Sequence, residues 1–180
     1  MSRSAAAAFV ADLAQRHLDA AYNLGRWLLG NEQDAADAVH DAFVRATRSA
    51  HTYAGGNARA WWLAIVRNSC LAKIASRRRE QQQRRLAVVP NDAPASAFSD
   101  VESRVEANQR HALIIAHLRT LPLEFREALV LREIEDLSYR EIADVLGVPI
   151  GTVMSRLARG RALLQRALAT PTAQENAHGL

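Results

Sequence analysis

The stretch from Leu137 to Gln165, LSYREIADVLGVPIGTVMSRLARGRALLQ, decides how the chain is read. Ser138 and Glu141 form an S-x-x-E pair, in which the hydroxyl accepts from the Glu141 backbone N–H while the carboxylate reaches back to the cap. A helix is therefore predicted to start at Tyr139. Tyr139, Ile142, Ala143 and Leu146 recur at the i, i+3, i+4 and i+7 spacing of a one-faced helix, and Gly147 supplies the left-handed residue that ends it. Val148 and Pro149 complete a turn, because proline is tolerated at the start of a helix and not in its interior.

Winding Ile150 onward at about 100° per residue places Ile150, Val153, Leu157, Gly160 and Leu164 on a packing side. Thr152, Ser155, Arg156 and Arg159 fall on the free side. With small Ala143 where two helices approach and Val153 locking the second, this is a helix-turn-helix layout. The free side suits base edges and phosphates, since arginine can fork onto guanine. A solvated surface helix would explain an arginine pair alone, but the capping box, the turn glycine and the segregated faces agree on a reading helix. For Arg161, at the edge of the packing side, a local ion pair and a phosphate contact both stay open.

The 180 residues are 49% hydrophobic and 23% charged, a composition with material for a core rather than for disorder. No apolar run approaches the roughly 20 residues of a membrane span, and Ala5 to Ala8 lack a signal peptide's long apolar region. A cytoplasmic, nucleoid-associated location is expected, with no membrane insertion. The lone Cys70 excludes an internal disulfide and reads as a small buried apolar residue. Of 23 basic residues only Lys73 is lysine, and their placement is uneven. Residues 51–85 carry eight basic groups and one acidic, residues 86–137 five and nine, and residues 138–166 five and two. Two basic segments flanking an acidic middle suggest two contacts with a polyanion.

Upstream, Phe9, Leu13, Ala20, Leu24 and Leu28 follow helical spacing from Ala5 to Leu29, with Gly30 and Asn31 as stop and restart. A second helix is predicted from about Glu32 to Ser49, its apolar stripe Ala35, Val39, Phe43 and Ala46. Asp34, Asp37 and Asp41 line another face, either a solvated one or a dock for a basic partner. Thr52 to Asn57 is a loop around Gly55 and Gly56. A helix from about Ala58 to Arg79 follows, in which Trp61, Trp62, Leu63, Ile65, Val66, Cys70, Leu71 and Ile74 cover nearly the whole circumference. Arg59, Arg67, Asn68 and Lys73 are interleaved with them, and Arg77, Arg78, Arg79, Arg84 and Arg85 come after. Aromatics among cations and an amide suit single-stranded nucleic acid, although burial in the core is the commoner fate of either tryptophan alone.

The fold class expected is all-α: two small helical domains joined by a flexible linker, the C-terminal one a helix-turn-helix. The first domain spans 1–85, the linker 86–101, the second domain 102–168 and a tail 169–180. Within the second domain a helix from about Val101 to Leu118 precedes one opened by Pro122, with Phe125, Leu129 and Ile134 as candidate core positions. No catalytic constellation, metal spacing or nucleotide-binding glycine pattern is recognisable, so the chain reads as a non-enzyme without cofactor or metal. A metal at His40 between Asp37 and Asp41 is explained better as a solvated helix face.

Two blocks carry a resemblance, YNLGRWLLGNEQDAADAVHDAFVRA with NARAWWLAIVRN, and LPLEFREALVLREIEDLSYREIADVLGVPIGTVMSRLARGR. In this order around a linker they resemble bacterial RNA polymerase sigma factors of the extracytoplasmic-function class, over about Ala5 to Leu168. The resemblance implies a factor that binds core RNA polymerase and directs promoter-specific initiation. Asp34, Asp37, Asp41 and Phe43 would dock on the clamp helices of the polymerase β′ subunit. Asn57, Arg59, Trp61, Arg67, Asn68 and Lys73 would meet the separated minus-ten strand, Asn68 and the Thr52 to Asn57 loop holding a flipped-out base. Thr152, Ser155, Arg156 and Arg159 would read the minus-thirty-five element as duplex. An anti-sigma factor is a further implied partner. Departures from the family pattern are His40 for glutamine, Trp62 for leucine, Met154 for a basic residue and Gly160 for alanine; Met154 removes a phosphate or base contact, so the minus-thirty-five preference does not carry over. The alternative class is a free-standing dimeric helix-turn-helix regulator on a near-palindromic duplex.

Overall fold

Short-range chemistry sets where the helices begin and end. The computed structural model describes residues 3–86 and 107–169. Among these the elements are α1 (Arg3–Arg16), α2 (Leu18–Leu29), α3 (Glu32–Ser49), a 3-10 turn Ala50–Thr52, and α4 (Ala58–Leu86). The second half holds α5 (Ala107–Thr120), α6 (Leu123–Leu129) running into a π-helical turn Val130–Ile134, α7 (Tyr139–Leu146) and α8 (Ile150–Ala169). No strand occurs among the described residues, in keeping with the all-α expectation. Positions 87–101 of the expected linker and 170–180 of the tail lie outside the described residues, as does the expected helix start at Val101.

Gly30 closes α2 in the left-handed region, and the Asn31 side chain accepts from the Asp34 backbone N–H to open α3. Ser138 and Glu141 form the full capping box of α7. Gly147 ends that helix at φ 66°, its N–H donating to the Ala143 carbonyl at 2.9 Å. A Cβ there would meet no neighbour, so glycine is favoured by backbone conformation alone.

Three expectations are corrected. The helix predicted from Ala5 to Leu29 is two, broken at His17, whose φ of −120° leaves the helical range. The α4 helix runs past Arg79 to Leu86, since the polar run RRREQQQRRL holds good helix formers and nothing that stops it. Ile134 and Ile150 are 40% and 46% exposed rather than core, because each stands at a helix end where the packing face has already turned away.

The buried side chains form one continuous cluster through both halves. Trp62 is fully buried in it with Leu24, Leu63 and Val66, and Cys70 lies beside them. Nearly all-round apolarity in α4 has a plain cause: the helix packs on α2 and α3 and also on α7. Burial pushes the Cys70 thiol up to about 12, which keeps it protonated and unreactive.

Two close approaches between elements fall at glycines. A Cβ on Gly160 would lie 3.0 Å from a Leu129 methyl, so the glycine lets α8 settle against α6. At Gly25 the Cβ would lie 3.1 Å from the Ala35 Cβ and 3.2 Å from its Cα, and that backbone cannot swing aside. Overpacking costs about 1–3 kcal/mol and the gain in helix propensity offsets about 1 kcal/mol. Gly25→Ala is therefore expected to lower stability by up to about 2 kcal/mol, measured as a lower urea midpoint. An unchanged midpoint would show that α2 and α3 can move apart without loss.

Candidate nucleic-acid interface

The Pro149 carbonyl accepts from the N–H groups of Thr152 and Val153, so α8 starts at the turn and throws Val153 and Leu157 into the core. The opposite side carries the four residues singled out for reading. Arg159 and Ser155 are exposed, the Ser155 hydroxyl donating to the Thr152 carbonyl at 3.0 Å with its acceptor sites left over. Thr152 is half-buried. Arg156 is half-buried too, and its guanidinium lies 3.2 Å from Glu127 instead of projecting freely. Met154 is 54% exposed on the same helix. Arg161 forks onto Glu133 at 3.1 and 2.7 Å, so the local ion pair is the arrangement present.

On the first half, the loop before α4 is more ordered than its glycines suggest. Tyr53 donates its hydroxyl to the Gly56 carbonyl at 2.7 Å, and the Asn57 side chain accepts from the Ala60 N–H at 3.0 Å, capping α4. Trp61 is half-buried in a trio with Phe9 and Tyr53, ring centroids 5.2 to 6.3 Å apart. Phe9 follows the helical spacing of the first segment and Tyr53 falls in the loop, and nothing in their spacing announces the trio. Asn68 is exposed. Arg59, Arg67 and the side-chain amide nitrogen of Asn57 face Glu135, Glu127 and Glu141, carboxylates that sequence reasoning passed over as candidates. Their only signal was the acidic excess of residues 86–137, to which Glu127 and Glu135 belong.

The acidic stripe divides. Asp34 is tied to Asn31 and to Arg77 and lies 3.5 Å from Lys73, while Asp37 takes Lys73 at 2.9 Å. Burial would raise the Asp34 carboxyl, but the hydrogen bonds from Asn31 and Arg77 hold it below the usual carboxylate range. Burial would likewise lower Lys73, and Asp37 with Asp34 more than offsets it, keeping the ammonium above its ordinary value. These bonds join α3 to α4. Asp41 and Phe43 remain exposed on α3 beside a groove of about 540 Å³ lined by Leu18, Tyr22, Val39, His40 and Trp62. Among the described residues no group of three or more His, Cys, Asp or Glu is placed to hold a metal ion, and no helix is long and apolar enough to cross a membrane.

Two sequence families match. Sigma-70 region 2 covers residues 13–80, and Sigma-70, region 4 covers residues 111–164. The chain is 38% identical over 160 residues to the ECF RNA polymerase sigma factor SigE of Mycolicibacterium smegmatis, covering 88% of this chain and 61% of that protein. It thus spans less than two thirds of that relative. It is 35% identical over 144 residues to the RNA polymerase sigma-H factor of Pseudomonas aeruginosa, 76% of this chain and 74% of that one. Among solved structures, the sigma factor RpoE in complex with the anti-sigma factor NepR from Bartonella quintana aligns at TM-score 0.67 and 26% identity, over 89% of this chain and 99% of that one. CnrH in complex with the cytosolic domain of CnrY aligns at 0.63 and 25%, over 94% and 96%.

The cap of α7 ties the site to pH. Bonds from the Ser138 backbone and then its side chain hold the Glu141 carboxyl below the ordinary 4.5. A folded value below the unfolded one adds stability above 4.5 that is lost as pH falls through the folded value. Ser138→Ala is expected to cost about 1 kcal/mol near neutrality. Because the Glu141 advantage shrinks with it, the variant's deficit should narrow in melts run below pH 4.5, and a deficit constant with pH would show the cap to be uncoupled from that carboxyl.

Proposed function

Because this chain belongs to the extracytoplasmic-function RNA polymerase sigma factors, we propose that it binds core RNA polymerase and directs initiation at particular promoters, acting by binding rather than by catalysis. The observation that carries the reading is the pairing, within one chain, of a capped helix-turn-helix with a separate helix of aromatics and cations. A duplex-only regulator would have no use for the second. Matches to both halves weigh against the free-standing dimeric regulator in the same way.

In this proposal residues 1–85 form the unit that meets the separated minus-ten strand through Asn57, Arg59, Trp61, Arg67, Asn68 and Lys73. Residues 102–168 read duplex at the minus-thirty-five element through Thr152, Ser155, Arg156 and Arg159, and residues 86–101 join the two. Exposed Asp41 and Phe43, with the partly paired Asp34 and Asp37, supply the dock for the β′ clamp helices, an acidic rim around an apolar anchor. The unit's work takes place in the cytoplasm on the nucleoid, and an inhibitor of the anti-sigma kind is its further partner. Solved relatives captured with such inhibitors support that last assignment.

Extracting a base from the duplex costs a few kcal/mol. Stacking on Trp61, about 1–3 kcal/mol per base, and the polymerase contact offset it. The test is to mix the purified chain with core polymerase and a premelted promoter fork: a ternary complex and a transcript are expected. Arg159→Ala should weaken use of the selected promoter by about 1–3 kcal/mol if its guanidinium reads a base edge. Unchanged discrimination between promoters would remove Arg159 from the readers, and indifference to core polymerase would end the proposal.

A further inference from the structure

The exposed side of α8 is mostly not polar where the helix begins. Ile150, Gly151, Met154, Ser155, Ala158 and Arg159 face outward, and only Ser155 and Arg159 among them carry side-chain hydrogen-bonding groups. Met154 is 54% exposed, the highest value among the large apolar side chains of the described residues. Ile150, four positions earlier and therefore on a neighbouring surface spot, is 46% exposed. The two form an apolar edge at the N-terminal end of the helix.

The polar groups around this edge are directed elsewhere. Ser155 donates its hydroxyl to the Thr152 carbonyl at 3.0 Å, Arg156 lies 3.2 Å from Glu127, and Arg161 forks onto Glu133. Gly151 leaves the space beside the edge open, since a Cβ there would meet nothing within 4 Å. A helix lying in the major groove meets base edges with its N-terminal residues. The apolar group that bases present in that groove is the thymine 5-methyl. Methionine is unbranched, flexible and polarisable, so it shapes itself to such a group without needing a fixed hydrogen-bond geometry.

We propose that Met154, flanked by Ile150, reads the 5-methyl group of a thymine and is a specificity-determining residue of this chain. This rests on the placement of α8 in the major groove of the minus-thirty-five element proposed above. Cytosine puts a hydrogen where thymine puts the methyl, so an apolar contact there separates the two pyrimidines without a hydrogen bond. Arg159 and the Ser155 hydroxyl serve polar base edges, and Met154 adds a contact that depends on the methyl alone.

The experiment selects promoters from a pool randomised over the minus-thirty-five element, using the full chain bound to core polymerase. Each thymine of the selected element is then replaced singly by deoxyuridine, which keeps the base pair and removes only the methyl group. The apparent Kd of the polymerase-bound factor for each duplex is measured for the natural chain, Met154→Ala, Met154→Leu and Arg159→Ala. Met154 is outside the core, and circular dichroism checks that each variant is folded.

At one position deoxyuridine is expected to weaken binding by the natural chain about fourfold, the worth of one methyl-sized group removed from water. Met154→Leu, which nearly conserves apolar volume, keeps that effect, and Met154→Ala binds thymine and deoxyuridine duplexes alike. An undiminished deoxyuridine effect in Met154→Ala would assign the methyl to another residue and overturn the proposal. A loss in Met154→Ala that is equal on the two bases, with the natural chain indifferent to the methyl, would overturn it too, as the mark of a contact to backbone or to another protein. The same holds for a selected element that contains no thymine; if Arg159→Ala still alters base preference there, α8 remains the reading helix and Met154 alone is at fault. Should the pool yield no preference at that element, and neither variant change binding, the placement of α8 beneath the proposal fails with it.

Discussion

A carboxylate that is nearly out of solvent constrains everything around it. Glu127 sits on α6, a helix of two turns, and receives Arg67 from α4 and Arg156 from α8. Removing such a charge from water costs several kcal/mol, so its position is tolerable only while both guanidinium groups stay in place. That requirement couples α4 to α6 and α8, which already pack on each other where Gly160 meets Leu129. Around it Glu135 serves Asn23 and Arg59, and Arg126 reaches the Trp27 carbonyl at 3.3 Å. The joint between the halves is therefore not only a meeting of apolar faces but a set of directed bonds, each specifying one orientation.

Features that depend on residues within one helical turn were legible in the sequence. The capping box at Ser138, the left-handed stop at Gly147, the stop and restart at Gly30 and Asn31 and the packing of Val153 and Leu157 all follow from local rules, and the structure contains them. What periodicity could not supply was the partner of a side chain. Arg156 satisfies the helical wheel of a free reading face, yet it is bound to a glutamate 29 residues away. The wheel reports direction from the helix axis, and direction does not say what stands opposite.

The tryptophans illustrate the same boundary. Both lie on one helix among cations, and burial in the core is the commoner fate of either taken alone. Neighbours in sequence point about 100° apart on a helix, enough to send Trp62 wholly into the cluster beneath α2 and α3 and leave Trp61 at its margin against Phe9 and Tyr53. The rings of Phe9 and Tyr53 meet Trp61 at tilts of 38° and 53°, which restrains the orientation of its ring. Formation of the trio needs α1, the loop and α4 to be assembled, so no single stretch contains the signal.

The charge blocks also acquire a different meaning once folded. Eight basic groups in residues 51–85 look like a surface for polyanions, and the acidic excess that follows looks like a neutral bystander between two such surfaces. In the structure Arg59 and Arg67 spend their charge on glutamates of that acidic stretch, and Lys73 and Arg77 spend theirs on Asp34 and Asp37. The exposed Arg78, Arg79 and Arg84 lie farther along the same helix. Coulomb steering depends on unscreened charge within about 10 Å at ordinary ionic strength. The end of α4 therefore contributes more to the first encounter with a polyanion than its beginning does.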